Sequence, residues 1–538
     1  MRGIQIGIGR LDFWMSFIGP PRIRGTSDQR FVPFDTAVVF AVVRFLDRTV
    51  RQFAVSNVNR TDVRGADFTL VCGNPVWKDF AVDRNFVNRV SPRVWDAGQE
   101  GKGRMDTDFQ TALTTKVAQA QTAARIPSLT VAVGVDGVSF AAASSGYADV
   151  ENRMPATIDS IYRIGSITKT FTAAVTLLLA HCGDLSLNAT VDRYLPGTPF
   201  GHLPLRMLLS HSSGLQREAP VDMWESMQGP TGAELRVAFQ DVELVADPGQ
   251  RWHYSNLGYA VLGQIIEDVS GQPCEKLIEQ RLLAPLDLSR TSWARPADAA
   301  IGYRLDPHIA TVHHEPVMDQ ASIGVGGQMW SAPGDLLRWG HALAGREPDV
   351  LPAPVVDSMH TLQVMVDTAA WSKGWGLGLI LERRGGHILA GHTGAMPGFQ
   401  SALMLDRASG VAVVALANAT RGIKPADLAA EILCEAITSL PTRPPREWQL
   451  VSCPPEIRPL LGSWWSEADE TVFRWEHDGL HASLADDPLA SDTRFEPAGL
   501  GRFRAAEGRL QGELLIVVDS GTGIEMRWAT YPLTRTPR

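Results

Sequence analysis

A charge-free segment of helical length is the feature that most constrains how this chain folds. The eleven residues after Lys169 carry no charge, and the segment continues through His181 and Cys182 to Gly183. Glycine commonly ends a helix because it adopts the left-handed backbone conformation without steric cost. The sequence therefore predicts a buried helix from about Ile167. A lysine that begins so apolar a helix is expected to point into a pocket.

Ser166 lies three residues before Lys169, so both side chains share one face of a helix. A serine hydroxyl is a weak nucleophile until a nearby base takes its proton, and desolvation lowers the pKa of a lysine enough for this task. The dipole at the helix N-terminus also favours negative charge near Ser166. The alternative is that Ser166 caps the helix and Lys169 is a surface charge, because a single Ser-x-x-Lys pair also arises by chance.

A second polar cluster, Tyr254-Ser255-Asn256, lies 88 residues after Ser166. A tyrosine near cations can titrate low enough to act as a general base. The amide of Asn256 can donate to a substrate carbonyl and accept from Lys169. Taken alone, the same residues also fit a helix start in which Ser255 or Asn256 is the cap and Tyr254 is packed.

A third motif, His392-Thr393-Gly394, follows another 138 residues later and is followed by Ala395. Glycine at a strand edge would let a substrate backbone lie close. The backbone N–H groups of Ala395 and Ser166 would then form an oxyanion hole. By itself the motif is uninformative, because His392 also fits a simple strand cap.

The order Ser-x-x-Lys, Tyr-x-Asn, His-x-Gly resembles that of the serine β-lactamase and penicillin-binding-protein superfamily, and Tyr254-Ser255-Asn256 looks like its class C version. Four flanking runs are similar to recurrent landmarks of that family: 162–166, 208–215, 326–331 and 374–378. The resemblance covers about residues 105–440. It implies an α+β fold in which helices flank an antiparallel sheet, with a mostly helical lobe and the active site between them.

The resemblance also implies a serine hydrolase that forms an acyl-enzyme on Ser166, with Lys169 and Tyr254 moving the proton. Tyr254 would then activate the hydrolytic water. Five further residues would bind the substrate or its oxyanion: Asn256, His392, Thr393, Gly394 and Ala395.

His392 departs from the pattern of β-lactamases and penicillin-binding proteins, which carry a lysine there to bind the β-lactam carboxylate. Histidine is only partly charged near neutral pH. The His-Thr-Gly form resembles the esterase and D-aminopeptidase branches of the family. An ester or a D-amino-acid amide is therefore the expected substrate. The alternatives are a β-lactamase or DD-peptidase, and a non-catalytic homologue that recognises penicillin.

Four regions differ in sequence pattern. Residues 1–104 show no sustained period of two or 3.6, so they are expected to be an extension outside the catalytic fold or a small accessory domain. The hydrolase domain spans 105–440, and a proline-rich linker follows over 441–459. Short alternating runs over 460–538 predict a small antiparallel β domain, which resembles lipocalin-like domains.

Several elements of the hydrolase domain can be placed from hydrophobic periodicity and turn residues. A helix is expected to end near Arg125, and a hairpin to turn at Asp136-Gly137. The other expected elements are strands over 375–381, 387–390, 400–405 and 411–416 and a helix over 425–439.

Composition limits the classes of molecule that this protein is expected to bind. The net charge of −9 argues against a general nucleic-acid binder, which needs a basic face. The apolar run 37–43 is too short to span a bilayer, and no clear signal peptide is present, so we expect a cytoplasmic protein without stable membrane insertion. The five cysteines form no CxxC pair, and no metal or cofactor motif occurs. The expected partner is a small acyl substrate, and the oligomeric state is left open.

Overall fold

The computed structural model describes residues 22–23, 70–71, 99–439 and 451–537, the last range with gaps at 477–478, 488–491, 509 and 522. Its contacts divide the chain into two units, with most residues up to Ala430 in the first and most later ones in the second. The expectation for residues 1–104 lies almost wholly outside the described residues, as does the first part of the predicted linker, 441–450.

A nine-stranded sheet organises the first unit. Its strands are β1 (Ser128–Val135), β2 (Val138–Asp149), β3 (Met154–Pro155), β4 (Val364–Met365), β5 (Lys373–Trp375), β6 (Ile380–Arg384), β7 (His387–Met396), β8 (Phe399–Asp406) and β9 (Val411–Ala417). They lie in the order β4-β5-β6-β7-β8-β9-β1-β2-β3. The pairs from β7 through β9 to β1 and β2 are antiparallel, so early and late parts of the chain meet at the β9–β1 pair.

Helices cover this sheet and form a lobe beside it. The α-helices among the described residues are α1 (Gln99–Ala124), α2 (Thr168–Cys182), α3 (Leu205–Leu209), α4 (Met223–Ser226), α5 (Gly232–Ala238), α6 (Asn256–Ser270), α7 (Cys274–Ile278), α8 (Pro333–Leu343), α9 (Ala353–His360) and α10 (Pro425–Ser439). α1 packs on β2, and α8 packs on β9 and β1. The charge-free helix α2 packs against α6 and α9, so its apolar surface is buried between helices. Two short ribbons join distant segments: Tyr162–Arg163 with Trp330–Ser331, and Tyr303–Leu305 with Val312–His314.

The second unit contains eight consecutive antiparallel strands. They are β10 (Gly462–Ser466), β11 (Asp469–Glu476), β12 (Gly479–Leu484), β13 (Thr493–Pro497), β14 (Arg502–Ala505), β15 (Leu514–Asp519), β16 (Ile524–Trp528) and β17 (Tyr531–Leu533). Two backbone hydrogen bonds between Trp465 and Thr534, of 2.7 and 2.9 Å, join the first strand to the end of the last. The sheet therefore closes on itself around a core that includes Trp464, Phe473 and Phe495.

The predicted α+β class with a C-terminal β domain is confirmed. The hairpin at Asp136-Gly137 and the helix over 425–439 are also present. The single strand predicted over 375–381 is wrong, because the chain turns between β5 and β6. Gly378 has φ +87°, and a Cβ there would lie 2.3 Å from Cβ of Ala173 in α2. The run is apolar because this turn packs on a helix, and not because it is one strand. None of the described helices has the length and apolar character needed to cross a membrane.

Candidate active site

A tight turn holds Ser166 between a short strand and helix α2. Residues Gly165–Ile167 form one turn of 3-10 helix, and α2 begins at Thr168. Gly165 adopts φ +52°, and a Cβ there would lie 2.8 Å from the backbone nitrogen of Ala395. Only glycine satisfies both conditions without displacing β7. The turn leaves Ser166 partly exposed between buried neighbours.

Lys169 is 0% exposed and contacts Ser166 directly. Its Nζ lies 3.1 Å from Ser166 Oγ, and it donates to Asn256 Oδ1 at 2.7 Å and to the carbonyl oxygen of Gly326 at 2.6 Å. Burial is the main cause that lowers the pKa of Lys169, to about 7, and the negative charge of Glu218 opposes this shift. A large share of the molecules therefore carries a neutral amine at pH 7, with a lone pair beside the serine hydroxyl.

Tyr254 lies on the other side of the serine. Its hydroxyl interacts with the side chain of Ser166, and its ring lies 5.1 Å from Lys169 Nζ and 5.0 Å from the guanidinium carbon of Arg217. Burial nevertheless raises the pKa of Tyr254 well above its usual value. The expectation that nearby cations lower this pKa is wrong for this state of the protein, because desolvation outweighs them. Tyr254 is a phenol here, and Lys169 is the better proton acceptor.

Asn256 is the first residue of α6 and connects two charged groups. Its Oδ1 accepts from Lys169, while its Nδ2 donates to Glu218 Oε1 at 2.7 Å. The preceding Ser255 caps the helix, since its hydroxyl accepts from the backbone N–H of Gly258 at 3.0 Å. The capping interpretation of Ser255 is thus confirmed, and it leaves the side chain of Asn256 free to face Lys169.

Strand β7 presents alternate residues to the site. Thr393 and Ala395 line the pocket, whereas His392 and Gly394 are buried. This follows from the two-residue period of a strand. A Cβ on Gly394 would lie 1.9 Å from the carbonyl oxygen of Ile164, so this glycine lets β7 pack against the segment before Ser166. The contact gives Gly394 a structural role, and its approach to a substrate backbone stays a prediction.

His392 lies behind the pocket wall. Its ring packs 5.4 Å from that of Trp375 and 6.4 Å from that of Tyr254, and its Nδ1 lies 2.6 Å from the carbonyl oxygen of Thr393. That contact requires Nδ1–H, because a carbonyl oxygen only accepts. Burial, aided by the charge of Lys169, lowers the pKa of His392 to about 3. His392 is therefore a neutral ring that contacts Tyr254, and it supplies no cation to the pocket.

The pocket in front of Ser166 has a volume of about 450 Å³. Five of the eight predicted site residues line it: Ser166, Tyr254, Asn256, Thr393 and Ala395. Lys169, His392 and Gly394 lie directly behind these. Three tryptophans, Trp224, Trp252 and Trp375, also line the pocket. Trp330 borders a different cavity.

Three charged residues of this pocket were not predicted from the sequence: Arg217, Glu218 and Lys373. Glu218 is 27% exposed, and its Oε1 lies 3.4 Å from Arg217 Nε. Burial raises the pKa of Glu218, which the bond from Asn256 and the charge of Arg217 partly offset. The available signal was position, because Arg217 and Glu218 follow the landmark at 208–215 almost directly.

His211, in that landmark, adopts φ +56°, and it also holds Tyr254 in place. Its ring packs 4.3 Å from the Tyr254 ring, and its Nδ1 accepts from the backbone N–H of Ser255 at 3.1 Å. The buried ring therefore supports the segment that carries both Tyr254 and Asn256.

Comparison with known proteins agrees with the family resemblance of the three motifs. The beta-lactamase family model matches residues 113–436, and a model described as a domain of unknown function (DUF7586) matches 453–535. The chain is similar to penicillin-binding protein 4* of Bacillus subtilis strain 168, with 28% identity over 291 residues, 48% of this chain and 61% of that protein. The chain spans less than two thirds of the length of the curated relatives it matches first.

Two solved structures are similar to the catalytic part. The D-stereospecific amidohydrolase from Streptomyces sp. shares 28% identity with a TM-score of 0.52, over 60% of this chain and 97% of that chain. The D-amino acid amidase from Ochrobactrum anthropi SV3, complexed with L-phenylalanine amide, shares 26% identity with a TM-score of 0.54, over 62% and 99%. Since the family model covers more than half of the sequence, this chain belongs to the beta-lactamase family.

Proposed function

We propose that residues 105–440 form a metal-independent hydrolase that acts through an acyl-enzyme on Ser166, with an ester or a D-amino-acid amide as substrate. The observation that carries the proposal is the contact between Ser166 Oγ and Lys169 Nζ, 3.1 Å long, at the wall of an open pocket. A buried amine with a pKa of about 7 is suited to removing a serine proton at neutral pH.

The hydrogen bonds of Lys169 support this direction of proton transfer. A neutral amine has two N–H donors and one lone pair. The oxygens of Asn256 and Gly326 only accept, so they take the two donors. The lone pair is left for the hydroxyl proton of Ser166. Ser166 Oγ then attacks the substrate carbonyl carbon as its proton passes to Lys169.

Tyr254 takes the acid role in the same scheme. Its phenol is protonated at rest and interacts with Ser166, so it is placed to give a proton to the leaving group. Proton transfer from Lys169 then restores the phenol. In the second half of the cycle Tyr254 orients the water, while Lys169 takes the proton of the attacking water and returns it to Ser166 Oγ as the acyl-enzyme is hydrolysed. The backbone N–H groups of Ser166 and Ala395 are the proposed oxyanion donors.

Glu218 is the pocket charge that favours a substrate with an amino group. Glu218 is a carboxylate on the pocket wall, fixed by Asn256 at 2.7 Å, and it would attract an ammonium group near the reacting carbonyl. His392 cannot replace the lysine that binds the carboxylate of β-lactams, because it is neutral and lies behind the wall. Similarity to a D-stereospecific amidohydrolase and a D-amino acid amidase supports the same substrate class.

A panel of p-nitrophenyl acetate, D-phenylalanine p-nitroanilide, its L isomer and nitrocefin tests this proposal. We expect Ser166→Ala to abolish turnover, and Lys169→Ala and Tyr254→Phe each to lower it at least about a hundredfold. Tyr194→Phe is the matched control, since Tyr194 is also half-buried, its hydroxyl accepts from Ser186 N–H, and neither residue lines the pocket. Near-full activity of Ser166→Ala would remove Ser166 from the mechanism.

A β-lactamase or DD-peptidase is the second candidate, because Arg217 and Lys373 place two cations on the same pocket wall. Such cations bind a substrate carboxylate. Faster turnover of nitrocefin than of the D-amide would favour it. A stable penicillin adduct without turnover of any substrate, seen by mass spectrometry, would favour the non-catalytic alternative.

A further inference from the structure

A second, smaller cavity of about 230 Å³ lies beside the segment that leads to Ser166. Arg163, three residues before the serine, lines it from the ribbon that pairs with Trp330. Arg295, Trp330, Phe399 and Glu315 contribute to the other walls. None of these residues lines the pocket in front of Ser166. The cavity is thus a separate place on the same unit.

Arg163 is a buried cation with too few partners. The residue is 2% exposed, and its Nη2 donates to Gln328 Oε1 at 2.5 Å. Its Nε is buried and has no hydrogen-bond partner among the described residues. The negative charge of Asp319 acts on it, but burial still lowers the pKa of Arg163 to about 10. The guanidinium therefore stays charged at neutral pH, in a place where charges are normally paired.

A second arginine, Arg295, contacts the same tryptophan ring and lines the same cavity. The guanidinium carbons of Arg163 and Arg295 lie 5.9 and 5.8 Å from the centre of the same Trp330 ring. Arg295 is exposed, so it can reorient towards a ligand in the cavity. Glu315, the carboxylate on this wall, already accepts from Thr420 Oγ1 at 2.7 Å. Two cations and a buried Nε without a hydrogen-bond partner make this cavity suited to binding an anion.

The residue types in the walls indicate which kind of anion fits the cavity. Guanidinium groups bind carboxylates in a planar, bidentate arrangement. Phe399 and Trp330 are in edge contact at 5.3 Å, and Ile301 and Val317 add apolar surface to the cavity. We propose that this cavity binds a small organic carboxylate, with the acid group between Arg163 and Arg295 and the apolar part against Trp330 and Phe399.

Benzoate is a suitable probe, with binding to the full-length protein followed by calorimetry and by ¹⁹F NMR of 4-fluorobenzoate. We expect saturable binding that Arg295→Ala weakens at least about tenfold, the effect of losing one charge-assisted hydrogen bond. Arg163→Gln should abolish it; if that variant does not fold, Arg295→Ala alone decides. Arg304→Ala is the matched control, because Arg304 is an exposed arginine on a nearby ribbon that does not line the cavity.

Two further comparisons separate this cavity from other anion sites. Arg217→Ala should leave benzoate binding unchanged; loss of binding in Arg217→Ala, with none in Arg295→Ala, would place the anion in front of Ser166 and overturn the proposal. Inorganic phosphate should compete weakly. Tighter binding of phosphate than of benzoate would contradict an organic acid as the ligand, as would the absence of any saturable binding.

Discussion

The pKa of Lys169 depends on the groups around its amine more than on its position in the Ser-x-x-Lys motif. Its Nζ is fully buried and meets two oxygens that can only accept. Two charges of opposite sign act on it from the pocket wall: Glu218 raises its pKa and Arg217 lowers it. The pKa of Lys169 is therefore adjusted by two residues, Glu218 and Arg217, in opposite directions.

This arrangement predicts the pH dependence of catalysis. Below its pKa Lys169 has no lone pair, so kcat/KM for the uncharged substrate p-nitrophenyl acetate should rise with pH through about 7. Glu218→Gln removes the charge that raises the pKa, so the rise should move to lower pH. Arg217→Ala removes a charge that lowers the pKa, so the rise should move to higher pH. Stopped-flow or steady-state profiles between pH 5 and 9 measure both.

The two variants serve as controls for each other, because a general loss of structure would not shift the profile in opposite directions. An identical profile in wild type and both variants would show that another group titrates. The smaller shift is expected for Arg217→Ala, since the Arg217 side chain is 62% exposed and its charge is screened by water.

Residue types and their spacing were sufficient to predict that Ser166, Lys169, Tyr254 and Asn256 lie together, because each must be a particular chemical group. They were insufficient for Arg217, Glu218 and His392. A charged residue in a loop has the same appearance in a sequence whether it faces water or a pocket. The strand predicted over 387–390 stopped short of His392, which lies within β7. The face of the strand decides its protonation, and only the packing of Trp375 and Tyr254 around it shows that.

At the level of elements, the site depends on how closely β7 approaches the turn before α2. Two glycines make that approach possible, Gly165 on the turn and Gly394 on the strand. The hydroxyl of Ser401 on β8 adds a 2.8 Å hydrogen bond to the carbonyl oxygen of Ile164. The position of Ser166 is thus determined by strand packing as well as by its own helix.

Gly394→Ala should disrupt this contact. A Cβ there would lie 1.9 Å from the Ile164 oxygen and 2.3 Å from Ser401 Oγ, so strand and turn must separate. A misplacement of about 1 Å at a reacting group costs about a hundredfold in rate, and we expect at least that loss of kcat/KM. Ester hydrolysis and thermal denaturation of the same preparation provide the measurement.

Gly183→Ala is the matched control. Gly183 ends α2 with φ +86°, but a Cβ there would meet nothing within 4 Å. The variant should lose about 1–2 kcal/mol of stability through backbone strain and keep its activity. Equal effects of both substitutions on kcat/KM would argue against a specific role for the contact between β7 and the turn.

The elements that could be predicted from sequence were those whose pattern is local. Helix α10 and the β1–β2 hairpin have their own caps, turns and periodicity. The segment 375–381 could not be interpreted in that way. Its apolar residues are explained by Ala173 on α2, a neighbour that is distant in the chain, so no local pattern distinguishes this turn from a buried strand.

At the scale of the molecule, each unit has its own hydrophobic core. The barrel core includes Phe473, which is 1% exposed and stacks on Phe495 at 6.1 Å. No described residue of the barrel lines the pocket in front of Ser166. Stability of the barrel and the catalytic step are therefore expected to respond to different substitutions.

Phe473→Ala should destabilise the barrel by about 3–5 kcal/mol, the usual cost of removing a buried aromatic ring. The rate of ester hydrolysis at 25 °C should stay within about twofold of wild type. Val518→Ala, on an exposed position of β15, is the control and should change neither. Urea denaturation followed by tryptophan fluorescence measures the stability, and ester hydrolysis by the same samples measures the activity. Loss of activity in step with loss of fluorescence would contradict independent units.

The pairing of β9 with β1 has a consequence for synthesis on the ribosome. Val133 pairs with Val413, so one edge of β1 stays open until almost the whole catalytic region has been translated. At about 5–20 residues per second, that interval lasts on the order of tens of seconds. During it the apolar β1–β2 hairpin is a nascent chain without its final neighbour, which makes it a binding target for chaperones. In a circular permutant that links the original ends of the catalytic region, β9 and β1 would be close in sequence. The two strands could then pair soon after they are translated.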